Sequence, residues 1–279
     1  MKQGCLYIVA TPIGNLSDIS QRAVETLKMV DLIAAEDTRH SQKLLTALGI
    51  QNRLVSLHDH NERTRSDSLV GRLINGENIA LISDAGTPMI SDPGYHLIRL
   101  AQDEGIRISP VPGPSAVVSA LSVSGLPANR FYFHGFLPDR TAARKAALEL
   151  LTGIQETLVF YESGKRISSC LSDIRDVFSG VREAVICREL TKLHETIQRG
   201  TVDTLLAGFK AGELDERGEF VLLIEGTTRK QDVDLQLIQR LLDELKGSVP
   251  AGKLASAVSR ALRCPRKLVY ELIMNMKDD

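Results

Sequence analysis

Three short polar loops in this 279-residue chain carry residue types suited to a small charged ligand. Ser83-Asp84-Ala85-Gly86-Thr87-Pro88 follows the apolar run Ile79-Ala80-Leu81-Ile82. Thr11-Pro12-Ile13-Gly14-Asn15-Leu16 follows Leu6-Tyr7-Ile8-Val9-Ala10. Pro112-Gly113-Pro114-Ser115-Ala116 follows Arg107-Ile108-Ser109-Pro110-Val111. Open α/β sheets bind ligands in the crevice outside the carboxyl ends of their strands, where such loops would lie. Amides at a helix start after Pro114-Ser115-Ala116 suit a carboxylate or phosphate. Asp84 suits an ammonium, a hydroxyl or a sulfonium. A zwitterionic cofactor with a cationic centre satisfies both, although turn chemistry alone would explain any one loop.

Other chemistries lack their residues. There is no G-x-x-x-x-G-K-[ST] phosphate loop and no G-x-G-x-x-G after the first strand. A G-x-S-x-G nucleophile elbow is missing as well. His58-Asp59-His60 alone does not have the spacing of a three- or four-ligand metal site, and no metal is expected. Cys5, Cys170, Cys187 and Cys264 are scattered and form no C-x-x-C pair, as expected of reduced structural thiols.

The elements that must position these loops follow from periodicity. Apolar runs at 5–10, 31–35, 53–57, 78–83 and 107–111 predict strands, with helices at 18–29, 38–48, 63–75 and 92–104. Ser91-Asp92-Pro93 reads as a cap with Pro near the first turn. This alternation predicts a mostly parallel sheet with helices on both faces, over residues 1–127. Gly125-Leu126-Pro127 breaks the pattern. A second, α+β domain is expected over 128–226, with strands at 131–136, 157–161, 183–188, 194–200 and 219–225 and helices at 141–152 and 166–178. Little between its last three strands could form a crossover helix, which favours antiparallel pairing. Beyond a linker near 227–231, helices are expected at 233–246, 251–262 and 266–276. They form a module at 227–279 that is either helix-turn-helix-like or a plain hairpin.

Composition agrees with a soluble enzyme: 43% hydrophobic residues, 25% charged, no Trp and a net charge of −1. Apolar runs are far shorter than the roughly 20 residues of a membrane span, and the N-terminal segment does not resemble a secretory signal. The near-neutral charge argues against indiscriminate nucleic-acid coating. Residues 251–270 nevertheless hold Lys253, Arg260, Arg263, Arg266 and Lys267, a local basic patch suited to RNA.

Several blocks together carry a family resemblance. Pro12-Ile13-Gly14-Asn15-Leu16, Ala35-Glu36-Asp37-Thr38-Arg39, His58-Asp59-His60-Asn61-Glu62 and Ser83-Asp84-Ala85-Gly86-Thr87-Pro88 come first. Pro112-Gly113-Pro114-Ser115-Ala116, Gly135-Phe136-Leu137-Pro138, Phe160-Tyr161-Glu162-Ser163, Arg188-Glu189-Leu190-Thr191-Lys192 and Gly218-Glu219 follow. Over essentially its whole length the chain resembles the small-subunit ribosomal RNA methyltransferases of the tetrapyrrole methylase-like superfamily. It departs at Gly164-Lys165, where the pattern has Pro-His or Thr-His before Arg166.

The resemblance implies two α/β domains with S-adenosylmethionine bound in the cleft between them, followed by the helical module. It also implies 2′-O-methylation of a decoding-centre cytidine by a cytoplasmic homodimer, with the small ribosomal subunit as partner. By motif position, Pro12, Gly14, Asp84, Ala85, Gly86, Thr87, Ser115, Ala116 and Tyr161 are expected to bind the cofactor. Asp37 or Glu36 would assist deprotonation of the 2′-hydroxyl, with His58 or His60 in reserve. The same acidic pair could instead cap the helix beginning near Thr38. Arg39, Lys165, Arg166, Arg188, Lys192, Arg263 and Lys267 are expected to contact RNA. Two other readings are a tetrapyrrole (precorrin) methylase, which would need no RNA, and a non-catalytic RNA-binding assembly protein, which would leave the cleft loops without a role.

Overall fold

The computed structural model describes residues 3–227, 235–245, 249–262, 264 and 266–276. Residues 1–226 form one compact unit and 227–279 a second. The first half alternates as its periodicity predicts: β1 Cys5–Val9, α1 Gln21–Met29, β2 Leu32–Ala35, α2 Thr38–Ala47, β3 Leu54–Ser56, α3 Glu62–Ile74, β4 Ile79–Ile82, α4 Tyr95–Asp103 and β5 Arg107–Val111. The strands pair in parallel in the order β3-β2-β4-β1-β5. Alternate strand residues feed opposite faces. Leu32, Ala34 and Leu81 pack with Leu69, Leu73 and Leu97 from α3 and α4, while Ile33, Ala35 and Ile82 pack with Ala23, Leu27 and Leu45 from α1 and α2. Burial on both faces explains why these strands read as unbroken aliphatic runs.

The second sheet has the order β6-β7-β10-β8-β9 and is mixed. It comprises β6 Phe131–Phe136, β7 Thr157–Ser163, β8 Glu183–Arg188, β9 Thr196–Thr201 and β10 Glu219–Ile224. β8 pairs antiparallel with both β9 and β10, as expected, but not for want of a connecting helix. A helix, α8 Val202–Lys210, does lie between β9 and β10. It carries the chain over β8, so that β9 and β10 run in the same direction on either side of it. Thr201 caps it by accepting from the Thr204 amide, and its Val202, Leu205, Leu206 and Phe209 face the sheet with α6 Thr141–Glu149 and α7 Ile167–Phe178.

The other face of this sheet meets α5 Ala116–Ser124, which begins directly after the third strand-end loop. Val117, Ala120 and Leu121 of α5 share a core with Val159, Val185, Cys187, Val221, Leu223 and Ile13 of the first loop. The join at 127/128 therefore separates the sheets in sequence, while packing ties them together. Gly14 allows this close approach, since a Cβ there would lie 2.4 Å from Lys192 Cγ and 3.0 Å from the Leu190 carbonyl oxygen.

In the second unit, α9 Leu235–Leu245, α10 Ala251–Ala261 and α11 Arg266–Asn275 enclose their own core of Ile238, Leu242, Leu254, Val258, Val269 and Ile273. Leu254 and Val258 are buried and Leu262 packs against them, so the four-residue spacing does mark the inner face. Arg263 and most of the expected linker lie outside the described residues. No described helix is long and apolar enough to cross a membrane.

Arg144 of α6 and Asp173 of α7 form a buried ion pair, with a 2.7 Å hydrogen bond from Nε and side-chain exposures of 3% and 8%. Removing one partner strands the other charge. Asp173→Ala is expected to cost about 3–5 kcal/mol, read as a lower urea midpoint with an unchanged slope.

Candidate functional site

Hydrogen bonds lace the three strand-end loops into one wall. Thr11 and Gly86 exchange backbone bonds of 2.9 and 3.1 Å, and the Thr11 hydroxyl donates to the Ser83 carbonyl at 3.2 Å. The Thr87 hydroxyl donates to the Pro114 carbonyl at 3.1 Å. Gly86 has φ +84°, and a Cβ there would also crowd Ile13 at 3.3 Å, so this turn requires glycine. A fourth strand end joins through Asp84, whose Oδ1 accepts from the Asp37 amide at 3.1 Å.

Together these loops and the second sheet enclose a cavity of about 400 Å³. Asp84, Ala85, Gly86, Thr87, Ser115, Ala116 and Tyr161 line it, as does Glu36. Pro12 and Gly14 do not: Ile13, between them, presents its side chain, while Gly14 backs onto the Leu190–Lys192 turn. From the second sheet come Phe136, Glu162, Ser163, Cys187, Leu190, Lys192, Glu219, Phe220 and Val221. Tyr161 stacks edge-on against Phe133 and Phe136, with centroids 5.0 and 5.5 Å away. Burial pushes its phenol up to about 12. Burial likewise holds the Cys187 thiol at about 12, leaving it protonated and unfit as a nucleophile.

The acidic residues part ways. Asp37 faces away from the cavity and caps α2, accepting from the Arg39 and His40 amides at 2.8 and 3.4 Å. It also pairs with the Arg39 guanidinium at 3.0 Å, and this side-chain bond lowers its carboxyl to about 2. Asp37 thus takes the helix-capping role that was the alternative to a part in proton removal, paired with Arg39. Glu36, one residue earlier, does reach the cavity. Burial and then the Asp84 charge raise its carboxyl above the ordinary range. His58 and His60 lie off the cavity lining, and the Asn61 side chain meets both the His58 amide and its Nε2.

The group missed from the sequence is Asp92. Ser91-Asp92-Pro93 is no helix cap. α4 begins only at Tyr95, with Gly94 at the capping position, and Asp92 turns into the cavity. Met89 and Ser91 hold left-handed torsions of +73° and +72°, a conformation that costs non-glycine residues roughly 1–3 kcal/mol each and clusters at functional sites. Burial, followed by the Glu36 charge, lifts the Asp92 carboxyl to about 7, partly opposed by a hydrogen bond from Ser83. The available signal was its place eight residues after Asp84, but its neighbours Ser, Pro and Gly carried a cap pattern that masked it.

Among the expected RNA contacts, Arg39, Lys165 and Lys267 are exposed. Arg166 is consumed internally by Glu162, Asp139 and the Leu137 and Pro138 carbonyls. Arg188 binds Asp215 and the Arg217 and His194 carbonyls. Lys192 sits between Glu189 and Glu219 at 2.9 and 2.8 Å. Gly164 also has a local reason: a Cβ there would lie 1.8 Å from the Glu216 carbonyl oxygen.

The cavity chemistry suits a zwitterion with an added cationic centre. Ser115 makes no side-chain cap bond, and with Ala116 it brings the N-terminus of α5, with its partial positive charge, to the cavity, where it suits a carboxylate. Glu36, Asp84 and Asp92 provide an anionic field, and Ile13, Phe136 and Tyr161 an apolar wall.

The profile of the tetrapyrrole (corrin/porphyrin) methylases matches residues 5–206. The chain is 47% identical to the ribosomal RNA small subunit methyltransferase I of Xylella fastidiosa strain Temecula1, covering 96% of this chain and 98% of that protein. Identity to the Escherichia coli O157:H7 protein of the same name is 46%, over 99% and 96%. Among solved structures, uroporphyrin-III-C-methyltransferase from Thermus thermophilus superposes with a TM-score of 0.56 at 20% identity, covering 80% of this chain and 94% of that one. Diphthine synthase gives 0.60 at 14% identity, over 81% and 92%.

A raised carboxyl makes a stability prediction. Asp92 ionises freely in the unfolded chain but resists ionising in the fold, so folding loses stability as pH rises from about 4 to about 7 and does not regain it above. Asp92→Asn is expected to raise the melting temperature at pH 8, with the gain vanishing towards pH 4.

Proposed function

This chain belongs to the tetrapyrrole methylase family, within its small-subunit ribosomal RNA methyltransferases, and we propose that it methylates the ribose 2′-oxygen of a decoding-centre cytidine in 16S ribosomal RNA. The observation that carries the reading is 47% identity, over 96% of this chain, to a protein named ribosomal RNA small subunit methyltransferase I, joined to a cavity whose charges suit S-adenosylmethionine. When bound, that cofactor supplies an electrophilic methyl group on a sulfonium. The α5 amides at Ser115 and Ala116 would receive its carboxylate. Asp84 and Glu36 would face its positive charges, and Ile13, Ala85, Gly86, Thr87 and Tyr161 would enclose the remainder.

The protein's own chemistry is positioning and proton removal. A ribose hydroxyl is a weak acid, and a base near neutrality serves best at physiological pH. Asp92 fits that requirement, being ionised above about pH 7 and held on the cavity wall. It would accept the 2′-hydroxyl proton as the oxygen bonds the methyl carbon and that carbon's bond to the sulfonium sulfur breaks, releasing a neutral thioether. Glu36 raises the basicity of Asp92 through its charge. Exposed Arg39 and Lys165 contact the RNA backbone, with Lys267 and Arg263 as further phosphate contacts on the helical module. Such contacts set position, while the assembled subunit selects the nucleotide. The enzyme acts in the cytoplasm as a homodimer. The exposed Phe131 and Tyr132 of edge strand β6 give a second copy an apolar surface to cover.

The test is transfer of labelled methyl from S-adenosylmethionine to purified, unmethylated small subunits, with mass mapping of the product. Label on a decoding-centre cytidine ribose is expected; transfer to tetrapyrroles and not to subunits would overturn the reading. Asp92→Asn should lower kcat by about 10²–10⁴-fold with cofactor affinity retained. The parent enzyme should lose kcat/KM as pH falls below about 7. Replacing Arg39 and Lys165 together by Ala should raise KM for subunits and flatten its salt dependence, leaving cofactor affinity unchanged.

A further inference from the structure

We infer that Glu62 is a positioning residue for methyl transfer: reaching across from α3, its carboxylate pins the start of α4 and so holds Asp92 in the cleft. The inference rests on the assignment of Asp92 as the base. Glu62 does not line the cavity. Its Oε1 accepts from two amides of another element, Gly94 at 3.0 Å and His96 at 2.7 Å. Gly94 has no side chain with which to cap α4, and the carboxylate from α3 takes over that duty. Its charge also favours the positive end of α4.

The location gives this cap a consequence beyond helix stability. Only Pro93 separates Asp92 from the first tethered amide. The segment from Met89 to Gly94 holds three positive torsions, +73° at Met89, +72° at Ser91 and +132° at Gly94. Two of these fall on L residues, which rarely adopt them, and would relax if the segment were released. Its flanks are close-fitting. A Cβ on Gly94 would lie 2.7 Å from Leu81 Cδ2 of β4, and one on Gly135 of β6 would lie 2.9 Å from Ser91 Oγ.

The charges around Asp92 make a tether necessary. Glu36 from the end of β2, Asp84 from the end of β4 and Asp59 from the loop after β3 all face it with like charge. The Tyr161 phenol of β7 and the Ser83 hydroxyl complete the surround. An ionised Asp92 is repelled towards solvent, and Glu62 opposes that outward motion through the backbone. Within the His58-Asp59-His60-Asn61-Glu62 block, Asn61 closes the turn and Glu62 reaches the catalytic segment.

The experiment is the pH profile of methyl transfer to unmethylated small subunits by the full-length enzyme and its Glu62→Ala, Glu62→Gln, Asp92→Asn and Glu62→Ala/Asp92→Asn variants. A misplacement of about 1 Å can cost about 10²-fold, so Glu62→Ala should lose about 10–100-fold in kcat. Its acid limb should move to lower pH as the carboxyl gains solvent, with cofactor affinity and subunit KM retained. Glu62→Gln keeps the accepting oxygen and should restore both rate and limb. The double variant should be no slower than Asp92→Asn alone. A uniform loss with an unmoved limb, a Gln variant no better than Ala, or multiplied losses in the double variant would overturn the positioning role. If Glu62→Ala fails to fold, Glu62→Asp, which keeps the charge but withdraws the acceptor, must show the displaced limb instead. Full turnover by Asp92→Asn would remove the base assignment and the Glu62 role together. An inactive Asp92→Asn with an unmoved limb in Glu62→Ala would remove the Glu62 role alone.

Discussion

The mutual hydrogen bonding of the strand-end loops is the constraint on which the site depends. Each loop leaves its sheet with backbone donors and acceptors that a buried position cannot leave unpaired. Thr11 and Gly86 pair with each other, Thr87 takes the Pro114 carbonyl, and Asp84 takes the Asp37 amide. These bonds satisfy the loops and set their spacing in one step. From this wall α5 leaves in the direction that brings its N-terminus to the cavity and its apolar face to the second sheet.

The same wall explains how neighbouring carboxylates acquire opposite properties. Asp37 stands at a helix start in solvent, where donors from Arg39 and the backbone favour its charge. After the neighbouring strand, β4, Asp92 is enclosed beside Glu36 and Asp84, where burial and like charge disfavour it. Sequence proximity is irrelevant to the outcome: adjacent Glu36 and Asp37 shift in opposite directions because one faces the cavity and the other the helix start.

Cations show a parallel division. Arg166 and Arg188 spend their donors on carbonyls and acids that hold the second sheet's loops. Lys192 braces Glu189 and Glu219 at the cavity edge. Arg39 and Lys165 instead project from the surface, Arg39 in an exposed pair with Asp37.

Much of the fold was legible in the order of residues. Buried parallel strands demand continuous aliphatic runs, and the Gly, Pro and Asp that end them announce the loops, so β1 to β5 and most of the lining residues of the first sheet were readable. α8 was not, because its short apolar stretch follows a strand without a break in polarity, and only the return over β8 makes a helix necessary there. The block at 91–93 shows the limit most clearly. Ser, Asp and Pro fit a helix start by local rules, yet Glu62 supplies the cap from 32 residues away and frees Asp92 for the cavity. Local propensity and periodicity act through neighbours in the chain and are written in the sequence. Burial, capping by a distant side chain and the competition among assembled charges arise only when the sheets and helices meet, and those decided which carboxyls are raised and which are lowered.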